Sequence, residues 1–129
     1  MKQYGGKSSN QSVGKKGEDA ACRFLTDAGL RIRERNWRSG HLEIDIVAEG
    51  PDGIHFVEVK TRTLPCAAPP EENVGPVKQR RITTAALSYL HRADCNGKEA
   101  FFDVIAVAVS PGGETEGEYF PRAWIPIYV

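Results

Sequence analysis

The sequence predicts a single α/β domain in which a central mixed β-sheet is flanked by helices. The chain has 129 residues, a length that suits one domain. Two segments show the apolar spacing of amphipathic helices, and five others show strand patterns. These segments follow in the order helix, three strands, helix, two strands, so helices are expected to pack on the sheet in layers.

Composition and charge exclude several classes of protein. Apolar residues make up 40% and charged residues 26%, as in ordinary globular proteins. No apolar run is long enough to span a membrane, and the N-terminal MKQYGGKSSNQSVGKKGE lacks the apolar core of a secretory signal. Lysine plus arginine and aspartate plus glutamate number 17 each, so net charge gives no direct support to nucleic-acid binding.

The cysteines favour a reducing compartment. Cys22, Cys66 and Cys95 are widely spaced, odd in number and form no CxxC motif. Neither a disulfide framework nor a zinc site is therefore expected, and a cytoplasmic location fits best.

The first helix is predicted over residues 13–28, after a flexible tail over residues 1–12 that is rich in glycine, serine and lysine. The domain is then expected to cover residues 13–129. Glu18 lies beside the buried face of this helix, and Gly29 is a C-terminal stop signal. The positions with the spacing of one buried face are Gly17, Ala20, Ala21, Phe24, Leu25 and Ala28.

Three consecutive strands are predicted next. LRIRERNW, residues 30–37, points Arg31, Arg33 and Arg35 to one side, as an exposed edge strand would. IHFVEVK, residues 54–60, follows the turn signal EGPDG. HLEIDIVAE, residues 41–49, is expected to put Leu42, Ile44 and Ile46 on one face and His41, Glu43 and Asp45 on the other.

The second half of the chain contains a loop, a helix and two strands. LPCAAPPEEN, residues 64–73, reads as a loop, and Pro76 stands at the favoured first position of the second helix. FFDVIAVAV, residues 101–109, has the near-continuous apolar run of a central strand. YFPRAWIPIYV, residues 119–129, is an edge strand, because its two prolines cannot donate to a ladder. The second helix is expected to bury Val77, Ile82, Ala85, Ala86, Tyr89 and Leu90.

The turn between the second and third strands predicts a pairing of acidic side chains. If Pro51 and Asp52 are its central residues, Asp45 stands opposite Glu58 and Glu43 stands opposite Lys60. Opposed residues share a face, with Cβ atoms about 5 Å apart. A slip of one residue would remove the pairing.

Two carboxylates this close raise each other's pKa, and a hard divalent cation such as Mg²⁺ or Mn²⁺ between them relieves the repulsion. Lys60, on the same face, is suited to orient or help deprotonate a water, or to neutralise a phosphate. Together these groups suffice for phosphodiester hydrolysis. The alternative is that Glu58 and Lys60 are cross-strand partners on a solvent-facing surface, which alternation alone would favour.

Other charged residues have two interpretations each. Glu43 either supports the site by pairing with Lys60 or forms a surface ion pair. Asp103, in a buried strand, is more often a structural hydrogen-bonding group than a catalyst. Candidate DNA contacts, led by the two on the second helix, are Lys78, Arg81, Arg62 and Arg38.

An aspartate on one strand and Glu-x-Lys on the next resembles the active-site signature of restriction-endonuclease-like nucleases. Here the signature is Asp45 with Glu58-Val59-Lys60. More narrowly, the chain resembles the YraN-like family of small bacterial proteins. The matching segments are GEDAACRFL (17–25), RNWRSGHLEIDIVA (35–48), FVEVKTR (56–62), the helix at 78–90 and FDVIAV (102–107).

This resemblance implies a restriction-endonuclease-like fold, similar also to archaeal Holliday junction resolvases. It implies a Mg²⁺- or Mn²⁺-dependent endonuclease acting on DNA, with branched DNA as one substrate class. Asp45, Glu58, Glu18 and the Val59 carbonyl would be metal ligands, and Lys60 would be the catalytic lysine. The alternative is a non-catalytic binding module that retains the nuclease fold.

The resemblance also bears on assembly. A homodimer is a candidate assembly, because a two-fold axis would place two sites on opposing DNA strands. The chain departs from the family pattern at two positions, with Leu42 in place of a glycine and Phe101 in place of an arginine.

Overall fold

The computed structural model describes residues 12–66 and 68–126. These residues form a five-stranded sheet with helices on its two faces, and the predicted fold class and element order are confirmed. Residues 1–11 of the predicted tail and the end of the predicted last strand lie outside the described residues. The elements are α1 (Val13–Asp27), β1 (Arg31–Ser39), β2 (Leu42–Gly50), β3 (Gly53–Thr63), α2 (Pro76–Leu90), β4 (Ala100–Val109) and β5 (Thr115–Trp124).

The sheet is mixed, with strand order β1-β2-β3-β4-β5. Strands β3 and β4 are parallel and are connected through α2, whereas the other three neighbouring pairs are antiparallel. The predicted edge positions of β1 and β5 are confirmed. The predicted hairpin register is also confirmed from the turn as far as the pair Ile46 and Val57.

Each helix covers one face of the sheet. Helix α1 begins at an N-cap in which the Ser12 hydroxyl accepts the Lys15 N–H at 3.1 Å. It packs over Ile46, Val57 and Ile105. Helix α2 begins with proline and packs on the opposite face. Neither helix of the described chain is long and apolar enough to cross a membrane.

Gly17 brings α1 close to β3. A Cβ atom at this position would lie 2.9 Å from the Cγ2 of Thr61 and closer still to its hydroxyl. A side chain therefore cannot be added at Gly17 unless the helix or the strand moves.

The predicted alternation of β2 is wrong at Asp45. Ile44 packs on the α2 side, whereas Ile46 packs on the α1 side, so two residues expected to share a face do not. Strand β1 changes face at the same level, because Asn36 between the flanking pairs has a φ of 51°. A left-handed residue twists the chain locally, and a period-two pattern cannot show this.

The three arginines predicted to share a face of β1 do not all do so, because the register shifts between Ile32 and Glu34. Arg31 and Arg33 both contact Glu49, and the Arg33 side chain, only 6% exposed, also donates to Tyr89 of α2. Arg35 instead contacts Asp19 of α1. Strand β1 is therefore anchored to both layers of the domain. The predicted burial of Val77 is also wrong, since this residue is 55% exposed.

Candidate functional site

Asp45 and Glu58 are brought together where β2 and β3 diverge. Strand pairing between β2 and β3 extends from the turn to Ile46 and Val57. Beyond this pair, the Asp45 side chain replaces a backbone partner. Its Oδ2 accepts the backbone N–H of Val59 at 2.9 Å. Glu58 is the residue before Val59, so the Asp45 carboxylate is held beside the Glu58 carboxylate by a backbone hydrogen bond.

Burial and the neighbouring Glu58 carboxylate make Asp45 reluctant to ionise. The pKa of Asp45 is raised to about 7, chiefly because burial penalises the charged form and also because Glu58 is close. The hydrogen bond from Val59 acts in the opposite direction. Near neutral pH, Asp45 is thus poised between its protonated and ionised forms.

Lys78 supplies the positive charge nearest to Glu58. Its ammonium forms an ion pair with Glu58 Oε2, and this hydrogen bond raises the pKa of Lys78. The lysine side chain is 58% exposed, whereas the glutamate side chain is 9% exposed. A predicted DNA contact is therefore a cation that reaches inward to a buried carboxylate.

A cavity of about 570 Å³ lies over the two carboxylates. One side is formed by the start of α2, including Lys78 and Arg81, and the other by the segment leading into β2. Both predicted DNA contacts of α2 therefore line the cavity. Its lining is His41, Leu42, Glu43, Asp45, Glu58, Gly75, Pro76, Val77, Lys78, Arg81 and Ile82.

Lys60 and Glu18 are not joined to this pair. The Lys60 ammonium donates to the backbone carbonyl of Asn73, in the loop before α2. Glu18 accepts the Asn36 side-chain amide at 3.2 Å and lies 3.8 Å from Arg35. Across residues 12–66 and 68–126, no group of three or more His, Cys, Asp or Glu side chains is arranged to hold a metal ion.

The remaining predicted residues lie at the margin or elsewhere. Glu43 faces Arg38 at 3.9 Å, so it takes the alternative of a surface ion pair rather than pairing with Lys60. Arg62 donates to the carbonyl of Ala68 and lines a separate cavity of about 170 Å³ beside Glu116.

Asp45 and Glu58 nevertheless suit a hard divalent cation. Mg²⁺ is commonly held by one or two carboxylates, with waters and substrate phosphates completing its shell. The two carboxylates lie side by side beneath the cavity, and the ammonium of the partly exposed Lys78 lies beside them. The carboxylates form a donor set of this kind. Val59 could add its carbonyl, because it follows Glu58 directly.

Sequence patterns missed a second buried ionic cluster. His55 Nδ1 lies 2.6 Å from Asp103 Oδ2, and His55 Nε2 lies 2.8 Å from Asp52 Oδ1. Asp103 is fully buried and also accepts the Tyr119 hydroxyl and, at 2.9 Å, the Arg122 N–H. This supports the structural interpretation of Asp103.

Both ring nitrogens of His55 face carboxylates, so both donate in the imidazolium form. Burial alone would lower the pKa of His55, but hydrogen bonds to Asp103 and Asp52 outweigh it and the pKa is raised. A signal was available in the sequence, because His55 shares the strand face of Val57 and Val59. An ionisable residue on an apolar face needs a buried partner.

Comparison with known proteins identifies relatives across most of the chain. The family model described as "Uncharacterised protein family UPF0102" matches residues 17–107. A UPF0102 protein of Pelobacter propionicus is 43% identical over 117 residues, which cover 89% of this chain and 84% of that protein. A UPF0102 protein of Rhodococcus opacus is 40% identical over 115 residues, which cover 89% and 98%.

The likeness to solved structures is more distant. The Holliday junction resolvase Hjc of Archaeoglobus fulgidus matches with a TM-score of 0.46 and 21% identity, covering 83% of this chain and 75% of that chain. Pyrococcus furiosus SfsA in complex with Ca²⁺ matches with a TM-score of 0.41 and 19% identity, covering 84% and 62%. Likeness at this level does not transfer a function. The family match and the curated relatives, in agreement with the resemblance to YraN-like proteins, show that the chain belongs to the uncharacterised protein family UPF0102.

Proposed function

We propose that this protein is a divalent-metal-dependent nuclease that hydrolyses phosphodiester bonds in DNA. The observation that carries the proposal is the pair of carboxylates, half-buried Asp45 and buried Glu58, beneath a cavity edged by cations. Carboxylates alone would repel a phosphate. A site with both a carboxylate pair and adjacent cations suits a metal ion together with a phosphodiester.

Each group of the chain has a distinct part in this proposal. Asp45 and Glu58 hold the cation, and the Val59 N–H fixes the orientation of Asp45. Lys78, Arg81 and the first N–H groups of α2 offer positive charge to phosphate oxygens. A divalent cation bound here supplies Lewis acidity toward the phosphate and the attacking water.

Lys60 and Glu18 need rearrangement to take the roles that the family resemblance implies. Lys60 would have to release the Asn73 carbonyl before its ammonium could reach a water or a phosphate. Glu18 would have to leave Asn36 to become a third acidic ligand. Single substitutions of these residues should therefore reduce cleavage less than a substitution of Glu58.

A cleavage panel tests the proposal. Linear, nicked, flapped and four-way DNA are incubated with the protein and Mn²⁺ or Mg²⁺, beside Glu58→Gln purified in parallel. We expect cleavage of at least one substrate, strongest for branched DNA, and its loss in Glu58→Gln. Glu116→Gln is the matched control, since Glu116 lines the separate cavity beside Arg62 and its loss should leave cleavage unchanged. Equal cleavage by the wild type and Glu58→Gln would refute the proposal.

A second candidate is a nucleic-acid-binding or protein-binding module that keeps the fold without turnover. The observation that favours it is that Lys60 and Glu18 both bond to groups outside the cavity. Calorimetric titration with Mn²⁺, with and without DNA, separates the two candidates. Absence of metal binding in both titrations favours the module, whereas binding that Glu58→Gln abolishes favours the nuclease. Light scattering on the same samples measures whether the predicted homodimer forms.

A further inference from the structure

The start of α2 carries positive charge where a helix disfavours it. Lys78, Arg80 and Arg81 lie in its first two turns, no acidic residue lies in its first turn, and Gly75 provides no side-chain cap. The N-terminal end of a helix dipole is positive and favours anions. These cations therefore add to an existing positive potential, and their position calls for a negative partner outside the helix.

Glu58 is that partner for Lys78. Their contact joins the first turn of α2 to β3 across the floor of the cavity. The charges of Asp45 and Glu43 also attract the ammonium. The Lys78 ammonium thus lies beside the Asp45–Glu58 pair, where a metal cation held by these carboxylates would also have to lie.

We propose that Lys78 is the resident counter-cation of the Asp45–Glu58 pair, and that a divalent metal ion binds by displacing its ammonium from Glu58. This inference rests on the metal site of the proposed function and makes Lys78 a positioning residue within it. A carboxylate oxygen that accepts a close ammonium hydrogen bond is not free to coordinate a metal, and two cations at one carboxylate repel each other.

The displaced ammonium has a place to go. The Lys78 side chain is more than half exposed, and its stem is long and flexible. From the mouth of the cavity it can turn toward a phosphate held near Arg81 and the N-terminus of α2. A phosphate that draws Lys78 away from Glu58 opens the metal position, so metal and phosphate binding reinforce each other.

Isothermal calorimetry with Mn²⁺ alone, at pH 8.0 and without DNA, tests the displacement. The samples are the wild type, Lys78→Gln, Lys78→Arg and Arg81→Gln. Lys78→Gln should bind Mn²⁺ roughly tenfold more tightly than the wild type, because no ammonium has to leave. Lys78→Arg keeps the charge and should bind like the wild type. Arg81→Gln is the matched control for charge alone, and its affinity should change by less than about threefold.

The opposite results overturn the inference. These are Mn²⁺ affinity in Lys78→Gln that is unchanged or weaker, or absence of binding to that variant. An equal gain in Arg81→Gln would also overturn it, since the effect would then come from net charge. The measurement does not depend on turnover. A wild type that binds Mn²⁺ without cutting DNA would refute the proposed function. The displacement would still be tested by the Mn²⁺ affinity of Lys78→Gln relative to the wild type.

Discussion

Strand β3 contributes to two ionic clusters, one near its start and one at its middle, and the two clusters are built in opposite ways. Near its start, His55 lies between two carboxylates, and Asp103 accepts hydrogen bonds from three groups. At its middle, Glu58 and the neighbouring Asp45 of β2 repel each other, and the cation on Glu58 comes from a half-exposed lysine. A cluster whose charges are paired inside the fold should lose stability when one partner is removed, whereas a cluster paired with a partly exposed lysine beside a cavity leaves its carboxylates accessible to a ligand.

The largest expected effect comes from breaking the balanced cluster. Asp103→Asn removes the fully buried charge that faces His55 Nδ1 and leaves the imidazolium with only the partly exposed Asp52 as a charged partner. We expect the free energy of unfolding to fall by about 2–4 kcal/mol. Urea denaturation at pH 6 measures it. A loss below about 1 kcal/mol would contradict the assigned role of Asp103.

The same aspartate-to-asparagine change in the other cluster should raise the free energy of unfolding instead of lowering it. Asp45→Asn removes a carboxylate whose pKa is raised to about 7, while the amide oxygen can still accept the Val59 N–H. At pH 8 and without metal, we expect a gain of about 1–3 kcal/mol in the free energy of unfolding. At pH 4 most of the gain should be lost, because Asp45 is then protonated in the folded state and about half protonated in the unfolded chain. Destabilisation at pH 8 would count against the repulsion.

The pH dependence of stability separates the two clusters further. The pKa of His55 is raised, so its contribution is complete below about pH 6.5 and is lost as the pH rises through the folded-state value. The pKa of Asp52 is lowered by its hydrogen bond with His55, so its contribution is present above about pH 4 and is lost on acidification.

His55→Gln should therefore cost stability at pH 6, and the cost should shrink toward pH 9. Because Asp45 titrates in the same range, both proteins in this comparison should carry Asp45→Asn. Urea denaturation from pH 5 to pH 9 then compares Asp45→Asn with the double variant that also carries His55→Gln. A difference between the two proteins that stays constant with pH would argue that His55 is neutral in the fold.

The smallest effect is expected at the rim. Arg38 is largely exposed and faces Glu43 at 3.9 Å, so Arg38→Ala should change the free energy of unfolding by less than about 0.5 kcal/mol. Thermal unfolding of the wild type and Arg38→Ala measures this change. It gives the reference value for an ion pair that belongs to neither cluster. A DNA-binding titration of the same variant tests its predicted contact independently, and weaker binding at unchanged stability is the expected result.

Local signals in the sequence accounted for the element order and for the hairpin register. Pro51 and Asp52 fixed a two-residue turn, and the register that follows from it leads to Asp45 beside Glu58. The apolar runs identified the central strand, and the prolines identified β5 as an edge. These features depend on residues close together in the chain, which is why patterns of period two or 3.6 reveal them.

The features that patterns missed depend on distant contacts or on unusual backbone. Asn36 twists β1 and β2 so that Ile44 and Ile46 separate, and no alternation predicts a left-handed asparagine. The contact of Lys78 with Glu58 depends on how α2 docks on the sheet, and no local pattern in the 19 residues between them predicts that docking. His55 could have been noticed as an ionisable group on an apolar face, but its buried partner Asp103 lies 48 residues away on β4.

Gly17 lies on the face of the sheet opposite the cavity and is linked to the cavity through β3. Its missing side chain sets how closely α1 rests on Thr61, three residues after Glu58 on the same strand. A larger residue there would displace α1, β3 or both. A displacement of β3 would alter the Lys78–Glu58 contact without a substitution in the cavity, and under the proposed function such a change would adjust metal affinity while both carboxylates are kept.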